Sequence, residues 1–242
     1  MKTAILCALT FPSSLAAQVL VADRGLPAGK PVSQPIELAG ELAGKGFLGD
    51  SFRVGAAGEI WMIDTIRLWA ALQSSASCSR NLGDLNPGDV KPGDVKPGDL
   101  NLGDALEKIT LLGALENQPV PGEPECDCHA LVAVVTAALQ KTSPASANRE
   151  VEITAGKGVW QIDFRNVRWS MPGGHEVLFS MRATDRPETA CPLAATWSLA
   201  AAPATSGYRL RRFNQKGVPE GFAEAAAEPV RISVRVWAHR VD

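Results

Sequence analysis

Residues 59–70 read EIWMIDTIRLWA, an apolar run in which Trp61 and Ile63 share one parity while Ile66 and Leu68 share the other. Successive side chains of a strand point to opposite faces, so a strand with this pattern must change phase part-way along. One extra residue, a bulge or kink near Asp64, makes that change and keeps the large apolar side chains on one face. The same device recurs at residues 158–169, GVWQIDFRNVRW, where Trp160, Ile162 and Phe164 hold one parity and Val167 and Trp169 the other. Both segments contain Trp-x-Ile-Asp, at Trp61–Asp64 and Trp160–Asp163. One motif and one phase break on two strands point to two related β-units.

Working outward from these runs, the rest of the chain reads in the same style. Ser51-Phe52-Arg53-Val54 alternates ahead of a Gly55–Gly58 turn. Met171-Pro172-Gly173-Gly174 is a turn signal, after which Val177, Phe179 and Met181 alternate with Leu178, Ser180 and Arg182. Thr196–Leu199 and Gly207–Phe213 are further short strands, and residues 131–140 are read as strand from their valines. At the C-terminus Val230, Ile232, Val234, Val236 and Ala238 point inward, while Arg231, Ser233, Arg235, Trp237 and His239 point outward. Only Phe222–Glu228, FAEAAAE, reads as a helical turn or two. The 22 glycines and 17 prolines favour many short strands over long helices. The expectation is an all-β protein of two jelly-roll-like or Ig-like antiparallel β-sandwich units. The first spans residues 18–72 with an irregular lead-in, the second spans 126–242, and a long loop at 73–125 joins them.

That loop carries Gly-Asp every five residues, at Gly83, Gly88, Gly93, Gly98 and Gly103. The order small, Asp, aliphatic resembles the pentapeptide-repeat family, which implies a square β-helix. Pro87, Pro92 and Pro97 remove backbone donors, and so few repeats stack too little core. The segment is read as an expanded, solvated loop.

Residues 1–17 read as a secretory signal peptide. Lys2 supplies the positive charge, Ala4–Phe11 the short apolar stretch, and Ser14-Leu15-Ala16-Ala17 the small residues of a cleavage site. The apolar stretch falls short of the roughly 18 residues that span a membrane, and no later segment reaches that length. With 24 basic and 26 acidic residues the net charge is −2, which argues against nonspecific binding of nucleic acid or anionic membrane. The expected protein is soluble and secreted.

In an exported chain an even set of cysteines defaults to disulfides. Removal of the leader takes Cys7 and leaves Cys78, Cys126, Cys128 and Cys191. Pairing Cys126 with Cys128 makes a ring too tight for relaxed geometry, so each is expected to bond to one of Cys78 and Cys191. The competing use of Cys126-Asp127-Cys128-His129 is a zinc site of two thiolates and an imidazole, with Cys78 or Cys191 available as the fourth ligand. Asp64 and Asp163, at the two kinks, are candidate calcium ligands, although such an ion wants about six to eight oxygens. Otherwise each carboxylate accepts backbone donors freed by its bulge. Trp61, Trp160 and Trp169 sit at core parity, whereas Trp237 points outward and is the candidate ligand-stacking ring.

Gly49-Asp50-Ser51, preceded by Phe47-Leu48, resembles the Gly-Asp-Ser block of GDS-type lipases and esterases, which implies Ser51 as a nucleophile. That chemistry needs a base and an oxyanion hole. His239 stands where the family has its histidine, but Val236 occupies the position of the aspartate, and the Gly-x-Asn block is missing. The alternative is that Ser51 is an exposed strand residue, and no catalytic residue is assigned. More broadly, Asp50-x-Phe52-x-Val54 followed by Trp61-x-Ile63-Asp64-x-Ile66 resembles secreted bacterial β-sandwich proteins with a D-x-F-x-V…W-x-I-D-x-I pattern. The resemblance implies a fold and no activity. The functional expectation is a secreted, non-enzymatic binding or structural module for carbohydrate or a cell-envelope component, with no cofactor. A Ser51 esterase is the alternative.

Overall fold

The computed structural model describes residues 17–25, 27, 32, 46–72, 106–116, 130–138, 151–155, 159–187, 197–223 and 229–241. Among them are fourteen strands, numbered β1–β14 in chain order, and no helix. The first sheet runs β1 (Val19–Asp23), β14 (Val234–Val241), β3 (Ile60–Leu72), β7 (Trp160–Pro172) and β6 (Val151–Ala155), with β9 (Trp197–Leu199) also paired to β3. The second runs β12 (Pro219–Phe222), β11 (Arg211–Phe213), β2 (Phe47–Arg53), β8 (Glu176–Asp185), β4 (Leu106–Leu115) and β5 (Ala130–Ala138). β10 (Ala201–Pro203) and β13 (Val230–Ile232) pair as a separate ribbon. The architecture is all-β and antiparallel.

The two strands carrying Trp-x-Ile-Asp are neighbours. β3 and β7 pair with Ile66 opposite Phe164, Leu68 opposite Ile162 and Ala70 opposite Trp160. Strands from both sides of residues 73–125 mix in each sheet, with β2 seated between β11 and β8. The expected split into an early and a late sandwich is therefore not how the strands pair. The shared motif reflects one environment, because adjacent strands of a sheet bury the same face against the same core.

The expected phase break is present on both strands. In the β3–β14 ladder Trp237 opposes Thr65 and Ala238 opposes Ile63, so Asp64 is the extra residue. Against β7, Thr65 opposes Arg165 and Ile63 opposes Trp169, which leaves Asn166, Val167 and Arg168 facing Asp64 alone. Asn166 and Arg168 both have φ of 54°, a left-handed conformation that costs an L-residue about 1–2 kcal/mol. The register elsewhere in the sheet holds this local strain in place.

The sheets pack face to face over one core. Ile63, Ile66, Leu68, Ile162, Phe164 and Val236 from the first meet Phe52, Leu111, Val177, Phe179 and Met181 from the second. The indole of Trp169 lies against Gly113 of β4, where any Cβ would collide with the ring. Large and absent side chains thus interlock across the sandwich.

Two elements differ from expectation. Residues 106–115, assigned to the connecting loop, are the buried strand β4, paired on both sides by β5 and β8. The C-terminal strand breaks at Ser233, which is buried, with its N–H donating to Ala200 O at 2.9 Å and its hydroxyl to Gly25 O at 2.8 Å. Residues 131–138 are strand, as read. The leader at 1–16, the Gly-Asp pentads, all five cysteines and residues 224–228 of the expected helical turn lie outside the described residues.

Candidate functional site on the outer face of the first sheet

The face of the first sheet turned away from the core carries a row of charges in register. Asp23 of β1 opposes Arg235 of β14, Arg235 opposes Arg67 of β3, and Arg67 opposes Asp163 of β7. Arg67 is bidentate to Asp163, with Nε to Oδ1 at 2.6 Å and Nη2 to Oδ2 at 2.8 Å. This hydrogen bonding raises the Arg67 pKa against the opposing effect of burial. Arg235 Nε donates to Asp23 Oδ1 at 3.1 Å. The Asp23 carboxyl is lowered first by the N–H of Gly25 and then by Arg235. Each guanidinium also covers a ring on the opposite strand: Arg67 sits 5.1 Å from the centre of Trp237, and Arg235 sits 5.9 Å from that of Trp69. Trp69 is buried with Ala71 and Ala200, whereas Trp237 remains partly exposed beside Leu20 on the edge strand.

The paired bulges shape the same face. Where β3 and β7 change phase, Asp64 and Thr65, and then Arg165 and Asn166, are consecutive residues directed away from the core. Bulges re-aim side chains in this way, and here Thr65 stands directly opposite Trp237 with Asp64 beside it. His239 Nδ1–H donates to Asp64 Oδ2 at 2.7 Å. Asp64 and Asp163 are not brought together: each meets a basic side chain on a neighbouring strand, His239 and Arg67 respectively. Among the described residues no group of three or more His, Cys, Asp or Glu side chains is placed to hold a metal. Trp237 faces outward, as its parity requires, and Trp160 and Trp169 are core.

Ser51 lies on the other sheet and is 2 % exposed. The expectation of an exposed position fails because the outer face of the second sheet is itself covered. Phe47, Ala114, Leu178 and Phe213 form a small buried cluster there. The Ser51 hydroxyl donates to Glu176, while His239 is engaged with Asp64. Glu176 and Glu116 converge on Arg211, which reaches Glu116 at 2.8 Å and Glu176 at 3.2 Å and carries Phe222 on its face at 4.0 Å. Burial and the neighbouring Glu176 raise the Glu116 pKa. Burial opposes ionisation of Glu176, but hydrogen bonds from Glu116 and Ser51 and the charges of Arg211 and Arg53 outweigh it and lower its pKa.

Beside Ser51, Asp50 is fully buried and acts as a hub that local sequence does not reveal. Its carboxylate accepts from Ser51 N at 2.7 Å, Ile232 N at 2.8 Å and the Tyr208 hydroxyl, and it pairs with Arg24 Nη1 at 2.6 Å. Arg24 also donates to the Ser51 carbonyl. The aspartate of the Gly-Asp-Ser triplet is thus a fastener between the segment after β1, β2, β13 and the loop before β11.

No protein-family model matches this chain, and no curated protein does. No helix among the described residues is long and apolar enough to cross a membrane.

Proposed function

We propose that this protein is an exported, non-enzymatic module that binds carbohydrate or another cell-envelope component on the outer face of its first sheet. The observation that carries the reading is Trp237, a partly exposed indole clamped by Arg67 on a sheet face. An aromatic ring held on a rigid strand offers a flat apolar surface at little entropic cost, and polar neighbours around it fix orientation. Across the ladder those neighbours are Thr65, directly opposite Trp237, the adjoining bulge residue Asp64 and the guanidinium of Arg67. The leader and the four remaining cysteines fit an exported, disulfide-stabilised chain. The esterase alternative draws no support from Ser51, whose hydroxyl is buried and held by a carboxylate.

A glycan array with the mature protein tests the reading, alongside Trp237→Ala and Trp237→Phe variants shown to be folded by near-ultraviolet circular dichroism. The expected result is selective binding, lost by about tenfold or more in the alanine variant and largely kept in the phenylalanine variant. Equal binding by the alanine variant overturns the reading. So does turnover of a chromogenic ester that Ser51→Ala abolishes.

A further inference from the structure

We infer that Arg67 and Arg235 form a receptor for an oxyanion on the ligand, a sugar carboxylate or a phosphate, so that the module selects acidic over neutral saccharides. The inference rests on the reading that the Trp237 face is the contact surface.

Two guanidiniums directly opposite each other in an antiparallel ladder repel, and a sheet gains nothing from the pairing unless anions sit on both flanks. The two flanks are unequal. Asp163 is buried, with 6 % of its side chain exposed, and grips Arg67 through two hydrogen bonds. Asp23 stands on an edge strand with 36 % of its side chain exposed, and reaches Arg235 only through Nε at 3.1 Å. An exposed pair of that kind contributes little, so an incoming oxyanion can replace Asp23 on Arg235 at small cost. The oxyanion would then take the fork of Arg235, already fixed over Trp69, while Arg67 across the ladder keeps Asp163 and adds its charge to the face, and planar guanidinium forks suit carboxylate and phosphate. A sugar ring bearing that anion would reach Trp237 next along β14, and Arg168, exposed on β7, adds positive charge to the same face. The whole chain is net acidic at −2, so this concentration of arginine is local.

Calorimetric titration with oligogalacturonate, its methyl ester and poly(glycerol phosphate) tests the inference. At least one acidic polymer should bind about tenfold or more tightly than the neutral ester, and added salt should weaken it. The polymer that binds tells carboxylate from phosphate. Arg235→Gln should lose about tenfold or more, whereas Asp23→Asn, which keeps an acceptor for the Gly25 N–H, should tighten binding several-fold. Ester binding as tight as acid binding, with both lost in Trp237→Ala, overturns the inference and leaves the Trp237 reading standing. Acid binding unchanged by Arg235→Gln also overturns it. Failure of all three polymers to bind rejects the oxyanion receptor, and the glycan array then decides the reading beneath it.

Discussion

Arg67 and Arg235 face each other directly across the β3–β14 ladder, and each guanidinium lies over a tryptophan on the opposite strand. The side chains cross diagonally, so the like charges diverge and each finds a ring and a carboxylate. The row thus joins four charged side chains and two rings across four strands. The arrangement also explains why the outer face of a sandwich sheet carries two tryptophans without being apolar.

The two arginines should differ in what their removal costs. Arg67→Gln leaves Asp163 buried without its bidentate partner, and a loss of about 2–4 kcal/mol is expected in urea denaturation. Arg235→Gln releases an exposed aspartate to solvent and should cost clearly less than Arg67→Gln in the same measurement. Equal losses would mean that the Asp163 pair is as solvated as the Asp23 pair.

Asp50 should be the more severe position. Its carboxylate is fully buried and satisfies Arg24, Tyr208 and two backbone N–H groups, so Asp50→Ala strands a cation and several donors together. A loss of about 3–5 kcal/mol is expected by chemical denaturation. Arg24→Gln should recover little of it when combined with Asp50→Ala, because the backbone donors remain unpaired. Full recovery in the double variant would show that the ion pair alone mattered.

The phase break in residues 59–70 was readable because Trp, Ile and Leu announce their face by parity, and Trp237 was readable because β14 alternates cleanly. β4 was not, since Leu111 faces the main core while Leu112 and Ala114 are buried on the outer side. A strand buried on both faces loses its alternation, and its Leu, Ala, Glu and Lys do not mark it as strand. The Asp50 hub joins residues at 24, 50, 208 and 232, and no local pattern encodes such long-range pairing. The triplet around it resembled an enzyme block for the same reason: Gly49 clears the Phe213 ring, Asp50 fastens strands, and Ser51 serves Glu176.

Trp169 and Gly113 make a cross-sheet contact that a single methyl group disrupts. A Cβ on Gly113 would overlap the indole, and both sheets are too tightly paired to separate locally. Gly113→Ala should therefore cost about 1–3 kcal/mol in thermal or chemical unfolding, despite alanine's advantage in the unfolded chain. Combining it with Trp169→Phe should restore part of the loss, which would show that the ring is the obstacle.

The Glu116–Glu176 pair should give stability a characteristic dependence on pH. The Glu116 carboxyl is raised in the fold, first by burial and then by Glu176, so its contribution is complete below the ordinary glutamate range. That contribution is lost as the pH climbs through the raised value. Glu176 is lowered despite burial, because Glu116 and Ser51 donate to it and Arg211 and Arg53 attract its charge. Its contribution is present above the ordinary range and is lost as the pH falls through the lowered value. The pair is most favourable with Glu116 protonated and Glu176 ionised, and unfolding midpoints should decline on both sides of that state. Glu116→Gln keeps a donor toward Glu176 but cannot ionise, so it should remove the decline on the alkaline side and leave the acid side in place. Glu176→Gln should do the reverse, removing the acid-side decline and weakening the hold on Arg211. Midpoints measured from about pH 3 to pH 8 for the three proteins check this. Parallel profiles would show that the two carboxyls titrate independently of the fold.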